Sequence, residues 1–418
     1  MTTFTDLGVP ARLTTALTAR SITEAFPIQE AAIPDLLAGR DVLGRAPTGS
    51  GKTLAFGLPM IARVEKATPG RPRALILSPT RELAEQISRE LLPSAKAANR
   101  WVLAVYGGVG YEFQKRQLRR GVDIVVATPG RLTDLIEQGS VSLADVDIVV
   151  VDEADRMADM GFMPQVRKLL DMTASDRQTA MFSATLDNDV AELTRLYQTN
   201  PVRHEVAGDD NHADVPHYFW SVKPHDRVTR TAEIIGSSTP SIVFTRTRRG
   251  AERVAGQLAK AGVSATAIHG GRSQGQRTRA LDAFTKGKVK ALVATDVAAR
   301  GIHVDGVASV IHFDLPADGK DYLHRSGRTA RAGAEGVVVS LVMSNQMGDL
   351  RRLQRSIGLD TRMHSPADDW LTGSSGSRIG DAPIEQERTG GQQKRRNHRG
   401  GGRPRSGSGQ RPNRQRRR

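Results

Sequence analysis

Short apolar runs, most of them β-branched, recur through the first half of the chain, each followed by a segment with apolar positions at helical spacing. They include Leu75–Leu77, Val102–Val105, Ile124–Ala127, Ile148–Val151 and Ala180–Phe182. An apolar run without polar alternation suits a strand covered on both faces, and the amphipathic segment Arg81–Leu92 predicts a covering helix. A polar, turn-rich stretch, Ala207–Val215, interrupts the pattern. A second series then follows at Ile242–Phe244, Ala265–Ile268, Ala291–Ala294, Val310–Phe313 and Val337–Val342. Strands alternating with helices predict an α/β protein of two parallel-sheet domains. The pattern places them at residues 1–207 and 216–364, with a linker at 208–215 and a polar connection over 365–387. There is no short-period repeat of the solenoid kind.

Composition narrows the classes. With 418 residues the chain has room for two or more domains of about 100–200 residues. Its 38% apolar and 25% charged residues fit a soluble globular body. There is no cysteine, which excludes disulfides, cysteine zinc sites and thiol catalysis together. The start, MTTFTDLGVP, lacks the basic and apolar regions of a signal peptide, and no apolar run approaches the ~18 residues of a membrane helix. A cytoplasmic protein with no membrane partner is expected.

The net charge of +15 is unevenly spread. Twelve Lys+Arg and no acid lie between Arg388 and Arg418, which leaves 48 basic against 45 acidic residues before them. No Ala, Val, Ile, Leu, Met, Phe, Trp, Tyr or Cys occurs after Ile384, so this arm has too little apolar surface to offset its ordering entropy. A disordered basic tail is expected at 388–418, neutralising nucleic-acid phosphates or serving only as a solubilising arm.

Three clusters carry chemistry. Ala46-Pro-Thr-Gly-Ser-Gly-Lys52-Thr53 follows a short strand at Asp41–Leu43 and opens a helical stretch. Gly49 and Gly51 let backbone N–H groups close on phosphate oxygens, Lys52 can reach the β/γ-phosphates, and the Thr53 hydroxyl can ligate Mg²⁺. A chance Gly-rich turn is the plain alternative. Asp152-Glu153-Ala154-Asp155 emerges at the carboxyl end of the run Ile148–Val151, where open α/β sheets bind ligands. Asp152 would hold Mg²⁺ and Glu153 would orient or deprotonate the attacking water; a solvated acidic helix start would look the same when isolated. The third, His324-Arg-Ser-Gly-Arg328-Thr-Ala-Arg331-Ala-Gly333, supplies guanidinium groups suited to a transferring phosphoryl group. Alone it would read as a basic surface loop.

Taken in order, these and further motifs resemble a DEAD-box RNA helicase of superfamily 2, over about Phe4 to Leu359. Phe26-Pro-Ile-Gln29 is similar to the Q motif, with Phe4 at its upstream aromatic position. Pro79-Thr80-Arg81-Glu82, Gly107-Gly108 and Thr128-Pro-Gly-Arg131 resemble the RNA-contacting motifs of the first domain, and Ser183-Ala-Thr185 the coupling motif. Val243-Phe-Thr-Arg-Thr247, Gln274-x-x-Arg277, Thr295-Asp296-Val-Ala-Ala-Arg300-Gly301 and His324–Gly333 continue the set.

The resemblance implies two tandem RecA-like domains closing on ATP, Mg²⁺ and RNA. ATP would be met by Phe4, Ile22, Gln29, Ala46, Thr48, Gly49, Ser50, Gly51, Lys52, Thr53, Gly301 and His303, with Gln29 reading the adenine edge. Lys52, Asp152, Glu153 and the fingers Arg328 and Arg331 would carry hydrolysis. Asp155, Ser183, Thr185 and His324 would couple it to RNA. RNA would lie along Pro79, Thr80, Arg81, Gly108, Thr128, Arg131, Thr247, Gln274, Arg277, Thr295 and Asp296. Aromatic residues are only 4% of the chain, so a sequence-independent grip on the backbone is expected rather than base stacking. A monomer is expected, with ribosomal or RNA-decay proteins as partner classes.

Three positions depart from the family's pattern. Ser21-Ile22 stands where a Gly and an adenine-packing aromatic are usual, His303 stands in place of a ribose-binding Asp, and Ala330 replaces a Gly between the fingers. Ile22 can still cover a ring by dispersion, and the small volume change at Ala330 is expected to matter little. The expected activity is RNA-stimulated ATP hydrolysis driving local unwinding. The alternative is an RNA chaperone, annealer or ATP-gated clamp acting through the basic tail; a DNA translocase fits the motifs less well.

Overall fold

The computed structural model describes residues 2–47, 49–186, 188–206, 215–299, 307–330, 336–365 and 376–382. The expectations on Thr48, Arg300, Gly301, His303, Arg331 and Gly333, on the linker before Val215 and on the tail at 388–418 lie outside these residues. All described residues fall in one compact unit.

Every apolar run identified above becomes a strand. The first sheet contains β1 (Val42–Arg45), β2 (Ala74–Leu77), β3 (Val102–Val105), β4 (Ile124–Ala127), β5 (Ile148–Asp152), β6 (Gln178–Ser183) and β7 (Val202–Glu205). The second contains β8 (His217–Ser221), β9 (Ser241–Phe244), β10 (Ala265–Ile268), β11 (Ala291–Ala294), β12 (Ser309–His312) and β13 (Val337–Val342). All pairings within both sheets are parallel. The expected α/β pair of parallel-sheet domains is what the chain forms. Among the described residues no helix is long and apolar enough to cross a membrane.

Alternate residues of one strand serve two cores. Ile124 and Val126 join the cluster beneath the helices Pro27–Leu37, Lys52–Arg63 and Arg81–Ala97, while Val125 and Ala127 join the cluster on the opposite face. This two-faced burial is why the runs carry no polar residue. The second sheet is likewise covered on both faces.

Two strands escaped the apolar pattern, and both are edge strands. β7 alternates half-buried and exposed residues along Val-Arg-His-Glu, so it has no apolar run to detect. β8, at the far edge of its sheet, follows the polar stretch directly. The helix expected to end at Leu92 runs on to Ala97 through Pro93, because Ser94 and Ala95 are still buried.

Strand order does more for function than strand number. The first sheet runs β3-β4-β2-β5-β6-β1-β7 and the second β10-β11-β9-β12-β13-β8. The candidate RNA residues of the first domain leave the carboxyl ends of β3, β4 and β2, three neighbours. The phosphate loop, the Asp152–Asp155 cluster and Ser183 leave β1, β5 and β6, again neighbours. In the second sheet Thr247, Gln274 and Thr295 follow the adjacent trio β9, β10 and β11.

Candidate functional site

The loop after β1 is shaped by backbone that only glycine adopts at low cost. Gly49 and Gly51 have φ of +91° and +86°, which lets the loop turn its N–H groups inward. A Cβ at Gly51 would lie 2.5 Å from Gln29 Nε2 and 2.7 Å from Phe26 Cδ2. Lys52 is buried and its Nζ donates to Ala46 O at 2.8 Å, across the loop, while Ser50 Oγ donates to Pro47 O at 2.8 Å. Gln29 is clamped: Phe26 N–H donates to its Oε1 and its Nε2 donates to Gly51 O, both at 2.9 Å. Those two bonds fix which end of the amide is which. One N–H and one lone pair remain for a ligand.

Asp152 closes β5 beside this loop. Burial pushes its carboxyl up to about 7; Glu153 and Asp155 push the same way, and the Lys52 ammonium opposes them. Glu153 has the left-handed φ of +53°, rare outside Gly, and its Oε2 accepts from Arg156 Nη1 at 2.6 Å. Asp155 accepts at Oδ2 from both the N–H and Oγ1 of Thr185 at 3.0 Å, and its own N–H donates to Ser183 Oγ at 3.2 Å. Three of the four residues expected to couple hydrolysis to RNA, Asp155, Ser183 and Thr185, are thus one hydrogen-bonded knot.

The second domain reaches this knot. His324, in the helix Gly319–Ser326, has a lowered pKa, first because it is buried and then because the Arg156 guanidinium is near, with Asp155 and Asp159 opposing. Arg328 is buried nearby. Lys320 on the same helix pairs with Asp159 at 2.6 Å. On the other half of the sheets, Glu82 Oε1 accepts from Gln274 Nε2 at 3.2 Å and lies 2.8 Å from Arg277 Nε.

Several expected contacts are placed differently. Phe4 was expected at the nucleotide, but its ring is buried in the core with Leu13, Leu17 and Ile28, where apolar burial holds it. Asp296 was expected at RNA, but its carboxylate is taken by Arg325 through a bidentate pair at 2.5 and 2.8 Å. Gln274 and Arg277, also expected there, point at Glu82 instead. Pro79 and Thr80 are buried at the end of β2, and Thr80 Oγ1 caps the helix Arg81–Ala97 by accepting Leu83 N–H. Thr247 caps Arg248–Lys260 in the same way, and Thr295 is buried after β11. Arg81 remains exposed near Gly107 and Gly108. Arg131 donates to Val109 O at 2.8 Å, with its guanidinium 3.9 Å from the Tyr111 ring centroid; Thr128 starts that turn. Arg156, Asp159 and Lys320 carry no sequence signal as contributors, and Glu82 only as the last residue of its motif, since charged residues on helices ordinarily face water.

Two of the departures share one cause. Ser21 and Ala330, each where the family usually has Gly, have φ of +59° and +52°. The consequence at Ala330 is therefore backbone strain, not the volume change weighed above. Ala330→Gly is expected to stabilise the protein by about 0.5–1 kcal/mol, measured as a rise in Tm.

The profile of the DEAD/DEAH box helicase family matches residues 26–193, and that of the helicase conserved C-terminal domain matches residues 226–333. Over 86% of its length the chain is 41% identical to a protein of Zea mays named DEAD-box ATP-dependent RNA helicase 3B, chloroplastic, but covers 50% of it. The chain thus spans about half the length of some curated relatives. It is 38% identical to the DEAD-box ATP-dependent RNA helicase CshA of Geobacillus kaustophilus, over 85% of this chain and 77% of that one. Among solved structures, Dbp5 of S. cerevisiae bound to RNA and ADP BeF3 superposes with a TM-score of 0.77 at 30% identity, covering 88% of this chain and 97% of that one.

Proposed function

Because the chain belongs to the DEAD-box family of ATP-dependent RNA helicases, we propose that it is an RNA-stimulated ATPase whose closing domains part short RNA duplexes. Lys52 and the N–H groups of the loop would bind the phosphates. The donor set beside them, the Asp152 carboxylate and the Thr53 hydroxyl, is the hard-oxygen kind that takes Mg²⁺ together with phosphate oxygens. The raised pKa of Asp152 supports this, since buried acids crowded together are relieved by a cation. Mg²⁺ would neutralise charge on the phosphates when bound.

Glu153 would orient and deprotonate water, its carboxylate aimed by Arg156. Arg328, with Arg331, would face the transferring phosphoryl group. His324, kept neutral by burial, and the Asp155–Ser183–Thr185 knot would tie the nucleotide half to the second domain. RNA would run over Arg81, Gly108, Thr128, Arg131, Thr247 and Thr295, held by its backbone.

The observation that carries this reading is that the two domains meet on both halves at once. Glu82 meets Gln274 and Arg277 on the half with the candidate RNA residues; Asp159 meets Lys320 on the half with the phosphate loop. A cleft closed on both halves can make RNA binding and hydrolysis depend on each other. The test is phosphate release with and without single-stranded RNA, beside dissociation of a labelled short duplex. RNA is expected to stimulate release, and ATP to drive dissociation, with both lost in Lys52→Ala. A hydrolysis rate indifferent to RNA would overturn the reading.

Asp152 makes the site pH-sensitive in a definite direction. Its folded pKa is raised, so the protonated acid predominates below about pH 7 and the carboxylate above it. The rise in Tm given by Mg²⁺ and ATP should therefore grow from pH 6 to pH 8, when the anion is present to bind the cation. A thermal-shift series checks this, with Asp152→Asn expected to flatten it.

A further inference from the structure

We propose that Phe113, with Arg116 beside it, is a stacking step for one base of single-stranded RNA; this rests on the reading that RNA runs over Gly108 and Arg131. Four aromatic side chains are exposed among the described residues: Phe26, Trp101, Tyr111 and Phe113. Exposure of one ring carries little by itself. Position separates the four. Phe26 stands beside the phosphate loop, against Gly51. Trp101 precedes β3 and so lies at the amino end of that strand, away from the candidate RNA residues. Tyr111 and Phe113 open the helix Tyr111–Leu118, which follows the carboxyl end of β3 through a turn exposed at Gly108 and Gly110. That end of the sheet is the one that carries Gly108, Thr128 and Arg131.

The two rings have different duties. One face of Tyr111 is taken by the Arg131 guanidinium, 3.9 Å from its centroid, and its hydroxyl donates to Asp134 at 2.8 Å. Tyr111 therefore props Arg131. Phe113 is less encumbered: it is 48% exposed, and the Arg116 guanidinium, one turn on, is 6.0 Å from its centroid. That is about the outer limit of a cation–π contact, so the ring keeps a face for a base while Arg116 can meet the phosphate of the same nucleotide. The charge around the ring suits that occupant. Arg116, Arg119 and Arg120 are exposed and have no ion pair among the described residues, and the one acid of this helix, Glu112, has Lys115 3.7 Å away. A π-face stacks on any base, so the step adds affinity without reading sequence. A paired base is already stacked inside its duplex, so the step would hold only a parted strand.

The test compares binding of the full chain to a single-stranded RNA oligonucleotide and to an abasic ribose–phosphate chain of the same length, over a series of salt concentrations. In Phe113→Ala, affinity for the RNA is expected to fall about 5- to 50-fold with affinity for the abasic chain unchanged, and Phe113→Trp to restore RNA binding. The fall should persist at every salt concentration, because stacking releases no counterions. Arg116→Ala is expected to weaken both ligands and to flatten the salt dependence by about 0.7 in log–log slope. An unchanged slope would remove Arg116 from the step. Unchanged RNA affinity in Phe113→Ala would overturn the proposal. So would an equal fall for RNA and abasic chain, which would make Phe113 a prop for its helix. If the wild-type chain binds both ligands equally, no base is held and the proposal falls, while the reading of a track along the RNA backbone stands. If it binds neither, both fall.

Discussion

Glu153→Gln is expected to slow RNA-stimulated ATP hydrolysis by about 10²- to 10⁴-fold while ATP and RNA binding persist. Glutamine keeps the shape and an acceptor oxygen but cannot take a proton from water. The geometry leaves little slack: residue 153 is held at a left-handed φ, and Arg156 fixes one carboxylate oxygen at 2.6 Å. A base so constrained does not relocate, and a neighbouring acid cannot replace it. Asp155 is saturated by Thr185 and by the Arg156 N–H, and Asp152 faces Lys52 with its own acidity weakened. Single-turnover phosphate release, with ATP affinity measured in parallel, checks this. Hydrolysis within about threefold of wild type would remove Glu153 from the chemistry.

The second large effect is expected at the other end of the cleft. Glu82 and Arg277 are 8% and 9% exposed as side chains, so they form a buried ion pair contributed by two different domains. Removing one partner of a buried pair costs about 3–5 kcal/mol, because the remaining charge is left without water or counter-ion. Here the cost falls on closure alone, since both groups are rehydrated once the domains part. Arg277→Ala should therefore lower the population of the closed arrangement about 10²- to 10⁴-fold. It should appear as a raised RNA concentration for half-maximal ATPase, with little change in Tm. A double variant, Glu82→Leu with Arg277→Met, is expected to recover part of the loss, because no charge is then stranded. The exposed pair Asp159–Lys320 should matter far less, since water screens it.

Much of this was legible in the chain before any fold was known. Runs such as Val125–Ala127 lack polar residues because both faces of the strand are covered, and the phosphate loop and the Asp152–Asp155 cluster announce themselves by residue type and by following strands. Less was legible where a side chain's partner is distant in sequence. Asp296 looks available until Arg325 folds onto it, and Phe4 looks like a nucleotide contact until the core claims its ring. Ser21 and Ala330 look like mild substitutions until their φ angles are known.

The sequence by itself determined which segments become strands, which helices cover them, and which reactive groups stand at strand ends, since these follow from local periodicity and from the order of residues. The tertiary structure alone decided which strand ends are neighbours. Leu75–Leu77 and Val149–Val151 are interchangeable as apolar runs, and nothing in them says that β2 lies between β4 and β5. That order arises when helices from both faces are packed and crossovers close, a condition on the whole chain. It is also the condition that puts β3, β4 and β2 on one side and β5, β6 and β1 on the other, and so separates the candidate RNA contacts from the phosphate loop within one sheet.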